Sequence, residues 1–196
     1  MFTINPCAAG CGRPAITGYN LCFVHQANPE QENMRICNYI RGNDAIKDLC
    51  VCGMRFENND FSSRRFYGCN FKEASFVSCD FTKIKTRMSF FDFAEFINCD
   101  FTGSDIQFLS FAGAGFYGCR FIECEIVHAN FEGTSVNETV FKNSNLYNSR
   151  FINADLIKSS FLNCNLKRVH FAKTRQEEVI FKSSNTAEAM YETDER

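Results

Sequence analysis

An apolar side chain recurs at every fifth residue from Phe56 to Phe171, and this repeat dominates the sequence. Of these 24 consecutive positions, 23 are apolar, most of them phenylalanine, and Thr86 is the exception. A period of five matches neither an amphipathic helix nor an ordinary strand. The pattern therefore predicts a repeat architecture in which every five-residue unit has an equivalent place.

The rest of the unit is also regular. A small residue usually stands two positions before the apolar one, and Asp or Asn often lies between them. Representative units are Cys79-Asp80-Phe81, Cys99-Asp100-Phe101, Ala129-Asn130-Phe131 and Ala154-Asp155-Leu156. Over about 60% of the chain, this pattern resembles the pentapeptide-repeat family. The resemblance implies an all-β solenoid, a right-handed, four-sided parallel β-helix with one unit per side.

The unit in this β-helix would point two residues inward, the apolar one and the small one, because a close-packed interior cannot take two bulky side chains per side. Taking every twentieth residue gives two unbroken columns of phenylalanine, one from Phe61 to Phe161 and one from Phe71 to Phe171. We expect these rings to stack along about six coils. At Thr86 we expect Ile84 and Met88 to fill the space.

Four metal-ligating residues lie in residues 1–28, spaced as C-x3-C-x10-C-x2-H. They are Cys7, Cys11, Cys22 and His25. Two close pairs of thiolate and imidazole ligands suit tetrahedral Zn²⁺, and the segment resembles short zinc knuckles found beside other domains. Four protein ligands would leave no open position, so the predicted role is structural. The alternative is chance clustering in a cysteine-rich chain. Cys37, Cys50 and Cys52 are expected to be buried thiols, and a second site is the other reading.

The sequence divides into four segments. After the predicted knuckle at 1–28, residues 29–50 are expected to form a helical cap that begins at Pro29. The β-helix is expected over 51–181, and residues 182–196 form a polar tail of helix-forming composition that either caps the last coil or mediates a homodimer. A solenoid needs such caps because its ends expose apolar side chains and unpaired strand edges.

The composition bears on compartment and activity. No apolar run approaches the length of a membrane span, and the N-terminus lacks a charged-then-apolar signal pattern. Six of the 12 cysteines fall at the inward small position, which favours reduced core thiols in a cytoplasmic protein. The sequence shows no nucleophile–histidine arrangement and no phosphate-binding loop, so we expect no enzymatic activity, no small-molecule substrate and no catalytic residues.

The main functional prediction is a binding protein that presents a rigid surface to another protein. Two sets of outward residues are candidate partner sites. One is a set of six acids, Asp92, Glu95, Asp100, Asp105, Glu123 and Glu125. They lie in the stretch Met88–Val140, which carries eight acids and one base in all. The other is an apolar column on successive coils: Val77, Ile97 and Tyr117. Phe90, Phe93 and Phe108 also fall at outward positions.

Two alternatives stay open. Some pentapeptide-repeat proteins act as mimics of duplex DNA that bind DNA gyrase or another type II topoisomerase, either protecting the enzyme from quinolones or inhibiting it. The acidic stretch fits such a role, although a net charge of −2 is low for a mimic. A weaker alternative joins the predicted knuckle to the basic residues between Phe141 and Arg175 as a nucleic-acid contact.

Overall fold

The chain forms a four-sided solenoid that winds through about seven turns. A computed structural model describes residues 5–191. One α-helix, α1 (Pro29–Gly42), precedes the coils, and short 3-10 helices lie at Phe23–His25 and Thr186–Glu188. The chain thus has the predicted all-β solenoid with a helix near its N-terminus.

Sixteen three-residue strands make up the regular secondary structure of the described coils. They are β1 (Ala45–Lys47), β2 (Arg55–Glu57), β3 (Arg65–Tyr67), β4 (Ser75–Val77), β5 (Lys85–Arg87), β6 (Glu95–Ile97), β7 (Asp105–Gln107), β8 (Gly115–Tyr117), β9 (Arg120–Ile122), β10 (Glu125–Val127), β11 (Ser135–Asn137), β12 (Val140–Lys142), β13 (Asp155–Ile157), β14 (Ser160–Leu162), β15 (Arg175–Glu177) and β16 (Ile180–Lys182).

The strands form three parallel sheets, one on each of three sides. The first side has the order β1-β3-β5-β7-β10, the third side β2-β4-β6-β8-β11-β13-β15 and the fourth side β9-β12-β14-β16. Every pairing joins residues twenty apart, such as Phe76 with Phe96. The second side, centred on the column from Val51 to Phe171, is joined only by isolated bridges among the described residues, for example Phe90 with Ser110.

The core is a set of phenylalanine ladders. On the fourth side, Phe81 and Phe101 stack with centroids 4.8 Å apart, and Phe101 and Phe121 with centroids 4.6 Å apart. Phe131 and Phe151 on the second side stack at 4.6 Å. These rings are at most 2% exposed. Parallel offset stacking in this ladder adds roughly 0.5–1.5 kcal/mol per pair to the free energy of burial.

The small inward position also joins neighbouring coils when it holds a hydroxyl. The Ser149 hydroxyl donates to the Ile126 carbonyl at 2.9 Å and accepts from the Ala129 amide at 3.0 Å. Serine at this position therefore satisfies backbone groups that the turn leaves unpaired. The corner after each apolar residue takes a positive φ, as at Asn98 (53°) and Asn153 (57°), a conformation that asparagine tolerates well.

The prediction for the space beside Thr86 is wrong in one respect. Ile84 is buried beside it, but Met88 points away from the core and is 62% exposed. Met88 occupies a corner with φ of 50°, and corner side chains in this fold lie outside the coil. The Thr86 hydroxyl is left buried with no hydrogen-bond partner.

The helix α1 covers the start of the solenoid, and at the other end of the described residues Tyr191, 41% exposed, extends the second-side ladder. At the start, Ile36 and Ile40 of α1 pack into the core beside Ile46. The helix begins where the Asn28 side chain accepts a hydrogen bond from the Gln31 amide at 3.1 Å. At the other end, Tyr191 stacks on Phe171 with centroids 5.6 Å apart. The coils begin at β1, before Phe56, and continue past Phe171 through β16, so they number about seven turns, one more than the six expected from the repeat alone.

Candidate functional site

The four predicted ligands converge at one point. The Cys7 and Cys22 sulfurs each lie 3.4 Å from His25 Nδ1, and the Cys11 and Cys22 sulfurs are 3.6 Å apart. All four ligand atoms lie within 4.8 Å of one another. Zn–S bonds of about 2.3 Å and Zn–N bonds of about 2.0 Å in a tetrahedron require separations of this size. The residues therefore fit a tetrahedral metal ion.

Local backbone structure places the ligands. Cys7 begins a turn in which the Gly10 amide donates to the Cys7 carbonyl, and the Cys7 amide donates to the Arg13 carbonyl. The short helix Phe23–His25 turns the His25 ring toward Cys22, with the His25 amide donating to the Cys22 carbonyl. Gly10 adopts a φ of 71°, a left-handed conformation that suits glycine in so tight a turn.

The protonation of the thiols differs across the site. The Cys22 amide donates to the Cys7 sulfur at 3.3 Å, and this bond lowers the pKa of Cys7 to about 6. Burial raises the pKa of Cys22. Cys7 is thus ready to serve as a thiolate ligand near neutral pH, whereas Cys22 needs a bound cation to release its proton.

The ligand-bearing segment is attached to the first coil and to α1. Ile16 is buried in the same core as the ladders. The Thr17 amide donates to the Cys50 carbonyl at 3.0 Å, and the Cys50 amide donates to the Thr17 hydroxyl at 2.7 Å. Arg35 of α1 donates to the Thr17 carbonyl while it pairs with the buried Glu32. A metal at this site would stabilise a segment that itself covers the end of the rod.

The three remaining early cysteines do not join a metal cluster within residues 5–191, where the only group of three or more candidate ligands is the one above. They are half-buried, a partial departure from the buried thiols expected. Cys50 and Cys52 bring their sulfurs to 3.7 Å, and Cys37 donates to the Asn33 side chain.

Several acidic candidates are neutralised by bases on adjacent coils. Asp92 is buried and pairs with Lys72 at 3.0 Å, and Asp105 pairs with Arg87 at 2.6 Å. Asp100 lies 3.8 Å from Arg120. Glu95, Glu123 and Glu125 are exposed, and Glu125 accepts from Asn145. The structure spreads the six carboxylates over several sides of the rod and pairs three of them with bases.

The apolar candidates form the expected column on the third side. Val77 pairs with Ile97, and Ile97 pairs with Tyr117, in continuous register. Val77 and Ile97 are half-buried, and Tyr117 is 37% exposed. The Tyr117 ring folds back over Gly115, where an added Cβ would lie 2.7 Å from a ring carbon. This column is therefore partly covered by its own side chains.

A second group of apolar side chains lies on the second side and its two corners. We call it the aromatic surface and define it as Met88, Phe90, Phe93 and Phe108. Met88 is 62% exposed, Phe93 67% and Phe108 58%. Phe93 lies against Gly113, where a Cβ would come within 2.6 Å of the ring. Phe90 carries the Lys72 ammonium over its ring at 5.4 Å.

A chain of contacts that the sequence analysis missed continues along one corner from this surface. Phe108 stacks on His128 with centroids 5.0 Å apart, and the Tyr147 ring meets His128 edge-on at 5.9 Å. Asn148 Nδ2 lies 2.7 Å from His128 Nδ1, and Arg168 donates to the Tyr147 hydroxyl at 3.2 Å. The sequence signal that could have predicted these contacts is the spacing of twenty residues between Phe108, His128, Asn148 and Arg168.

Comparisons with known proteins agree with the fold. The pentapeptide repeat region family matches residues 114–191. Among solved structures, a trypsin-treated variant of QnrB1, a plasmid-mediated fluoroquinolone resistance protein, is 21% identical with a TM-score of 0.62, covering 71% of this chain and 74% of that one. A second trypsin-treated QnrB1 variant is 20% identical with a TM-score of 0.54, covering 71% and 73%. At these identities the likeness shows the fold.

The search of curated proteins gave no match. Among the described residues, the one α-helix is too short and too polar to cross a lipid bilayer.

Proposed function

We propose that this chain, whose residues 114–191 match the pentapeptide repeat family, is a non-catalytic binding protein whose rigid β-helix presents the aromatic surface to another protein. The observation that carries the proposal is the exposure of Met88, Phe93 and Phe108 on neighbouring coils of one side. Contiguous exposed apolar side chains mark interaction sites more often than scattered ones do.

Rigidity supports this role. Each aromatic side chain stands on a coil whose inner face is locked into a ring ladder, such as Phe91 stacked on Phe71 at 4.6 Å beneath Phe93. A preorganised surface loses little conformational entropy when a partner binds, so more of the contact energy appears as affinity.

The test is affinity capture from the native host with wild-type protein and two surface variants. Phe93→Ser and Phe108→Ser each remove an exposed ring and leave the core ladders untouched, so we expect each to weaken capture of the specific partner about tenfold or more. Lys83→Ser, at an exposed corner elsewhere, is the matched control. Equal capture by all four proteins would refute the aromatic surface as the binding site.

We also propose that Cys7, Cys11, Cys22 and His25 hold a structural Zn²⁺. The tetrahedral separations of the ligand atoms support this, as does the thiol-rich donor set, which favours zinc over hard cations. When bound, the ion would neutralise the thiolates and fix the segment that covers the first coil. With four protein ligands it would have no open position for chemistry.

A second candidate function is binding to DNA gyrase or another type II topoisomerase as a mimic of DNA. It is favoured by the fold shared with QnrB1, whose description as a fluoroquinolone resistance protein suggests quinolone protection. The cross-coil pairing of Asp92, Asp100 and Asp105 weakens the candidate, because paired carboxylates present less negative potential than a mimic needs.

A gyrase supercoiling assay with and without ciprofloxacin decides this candidate. A mimic should alter supercoiling or protect it from the drug, and replacing exposed Glu95 and Glu123 by Lys should abolish the effect. If purified protein changes neither reaction at micromolar concentration, the mimic is excluded.

The proposed compartment is the cytoplasm, where the 12 unpaired thiols of the described chain would stay reduced.

A further inference from the structure

We propose that the partner bound by the second side is an extended acidic segment, with an apolar anchor on the aromatic surface and carboxylates farther along facing Arg168 and Lys173. This inference deepens the proposed function and rests on it. It is drawn from the way apolar and basic groups are divided along one side of the rod.

The lower half of the second side carries exposed apolar side chains at its corners, beside the Asp92–Lys72 ion pair. Phe108 and Met88 stand on one corner and Phe93 on the other. Between Phe108 and Gly113 the outward positions hold small residues, Ser110 and Ala112, whereas on the preceding coil, between Met88 and Phe93, they hold Phe90 and Asp92. Rings on both corners beside this stretch of small residues make a shallow channel that suits an extended chain carrying an apolar side chain.

The upper half of the same side is basic. Arg168 stands on the corner column that contains Phe108, and Lys173 stands on the corner column that contains Phe93. Both are exposed. Among the described residues, no carboxylate lies within salt-bridge distance of either cation, whereas nearby Arg150 is paired with Glu132 at 3.3 Å. Arg168 is held in place by its hydrogen bond to the Tyr147 hydroxyl.

The spacing defines the ligand further. Phe108 and Arg168 are three coils apart, or about 14 Å at the usual strand spacing. An extended peptide advances about 3.3 Å per residue, so carboxylates about four residues beyond the anchor would reach the cations. Two cations with no carboxylate partner among the described residues, about 14 Å along the rod from the Phe108 ring, give charge complementarity to such a segment, which would raise its association rate and fix its direction.

The experiment uses the full chain and synthetic probes in fluorescence anisotropy. The probe is a fluorescein-labelled peptide with two leucines, a short Gly-Ser spacer of about three residues and a run of Asp and Glu. A second peptide carries Lys in place of every acid, and a third lacks the spacer. A labelled single-stranded oligouridine tests nucleic acid as the alternative occupant, because stacked rings beside cations also suit bases.

The protein variants separate the two halves of the channel. Arg168→Glu with Lys173→Glu should weaken binding of the acidic peptide about tenfold or more and lower its salt dependence. Lys83→Glu with Lys85→Glu makes the same charge change on other sides of the rod and should leave affinity unchanged. Phe108→Ser should also weaken the peptide, including at high salt, because its contribution is apolar.

The inference is overturned if the acidic peptide does not bind, if it binds no better than the lysine peptide, if the Arg168 and Lys173 reversal leaves its affinity unchanged, or if oligouridine binds more tightly. If one of these results is obtained but Phe93→Ser and Phe108→Ser still lose the native partner in the capture experiment, the proposed function stands and only this inference fails. Equal capture by those variants would remove both.

Discussion

Thr86 is the one polar residue in the inward series from Phe56 to Phe171, and its hydroxyl has no hydrogen-bond partner. We expect Thr86→Val to raise the free energy of unfolding by about 1 kcal/mol, because an apolar group of the same shape removes the cost of an unsatisfied buried hydroxyl. Denaturant unfolding followed by circular dichroism measures the change.

Thr139 provides the matched control. It is also fully buried, but its hydroxyl donates to the Asn137 carbonyl at 3.1 Å and accepts from the Cys119 amide at 3.2 Å. Thr139→Val should therefore lower stability by about 1–2 kcal/mol. If both substitutions change stability with the same sign, the interpretation of Thr86 is wrong.

The core thiols give a second prediction at this scale, for pH. Burial raises the pKa of Cys69 and of Cys124 to about 12 from an ordinary value of 9.0. The folded state therefore keeps these protons after the unfolded chain has released them, so stability is full below pH 9.0 and falls as pH rises from 9.0 toward about 12. Unfolding titrations across this range should show the loss, and Cys69→Ala should reduce its slope. An unchanged slope would count against the burial argument.

At the scale of the elements, the ligand-bearing segment should take up one metal ion per chain. Cys22→Ser removes a ligand and should abolish stoichiometric zinc by elemental analysis, whereas Cys37→Ser, outside the cluster, should retain it. Far-ultraviolet circular dichroism should still report β-structure in both variants, because the ring ladders do not depend on the ion. Full zinc retention in Cys22→Ser would exclude this ligand set.

A substitution at Gly113 tests whether the position of the Phe93 ring on the aromatic surface matters for partner binding. Gly113 and Gly133 have φ of 67° and 66°, so Gly→Ala at either position should cost a similar amount, about 1 kcal/mol, from backbone strain. Only at Gly113 does the new methyl group meet the Phe93 ring, since nothing lies within 4 Å of a Cβ at Gly133. Gly113→Ala should weaken partner capture and Gly133→Ala should not. Equal effects on capture would show that the position of Phe93 does not matter.

These elements also show what the sequence was able to predict. The period of five indicated which residues point inward, because side-chain size at two positions per unit is dictated by packing, and the ladders follow. The four residues of the candidate metal site could be predicted because two close pairs of metal-ligating side chains have the spacing of zinc sites, and the structure brings them together. The pairing of Asp92 with Lys72 and the contact of Phe108 with His128 join residues twenty apart at outward positions, where any polar or aromatic residue is compatible with the fold.

For the whole molecule, the ring ladders contribute more to the stability of the fold than the surface charges do. Most ion pairs across coils, such as Asp100 with Arg120 at 3.8 Å, are partly exposed and worth about 0–1 kcal/mol each. Raising sodium chloride from low concentration to about 1 M screens them and should lower Tm by no more than a few degrees. Differential scanning fluorimetry measures this, and a large drop in Tm would mean that the charges carry the fold.

The quarter-turn advance of each unit has a consequence for how such a chain can change by insertion. Five extra residues between Phe108 and Arg168 would rotate everything downstream by ninety degrees about the axis and move the two cations to a neighbouring side. Twenty extra residues would keep them in line and only increase their distance from the rings. Related chains that differ in length by whole coils should therefore bind the same ligand, whereas chains that differ by single five-residue units should not.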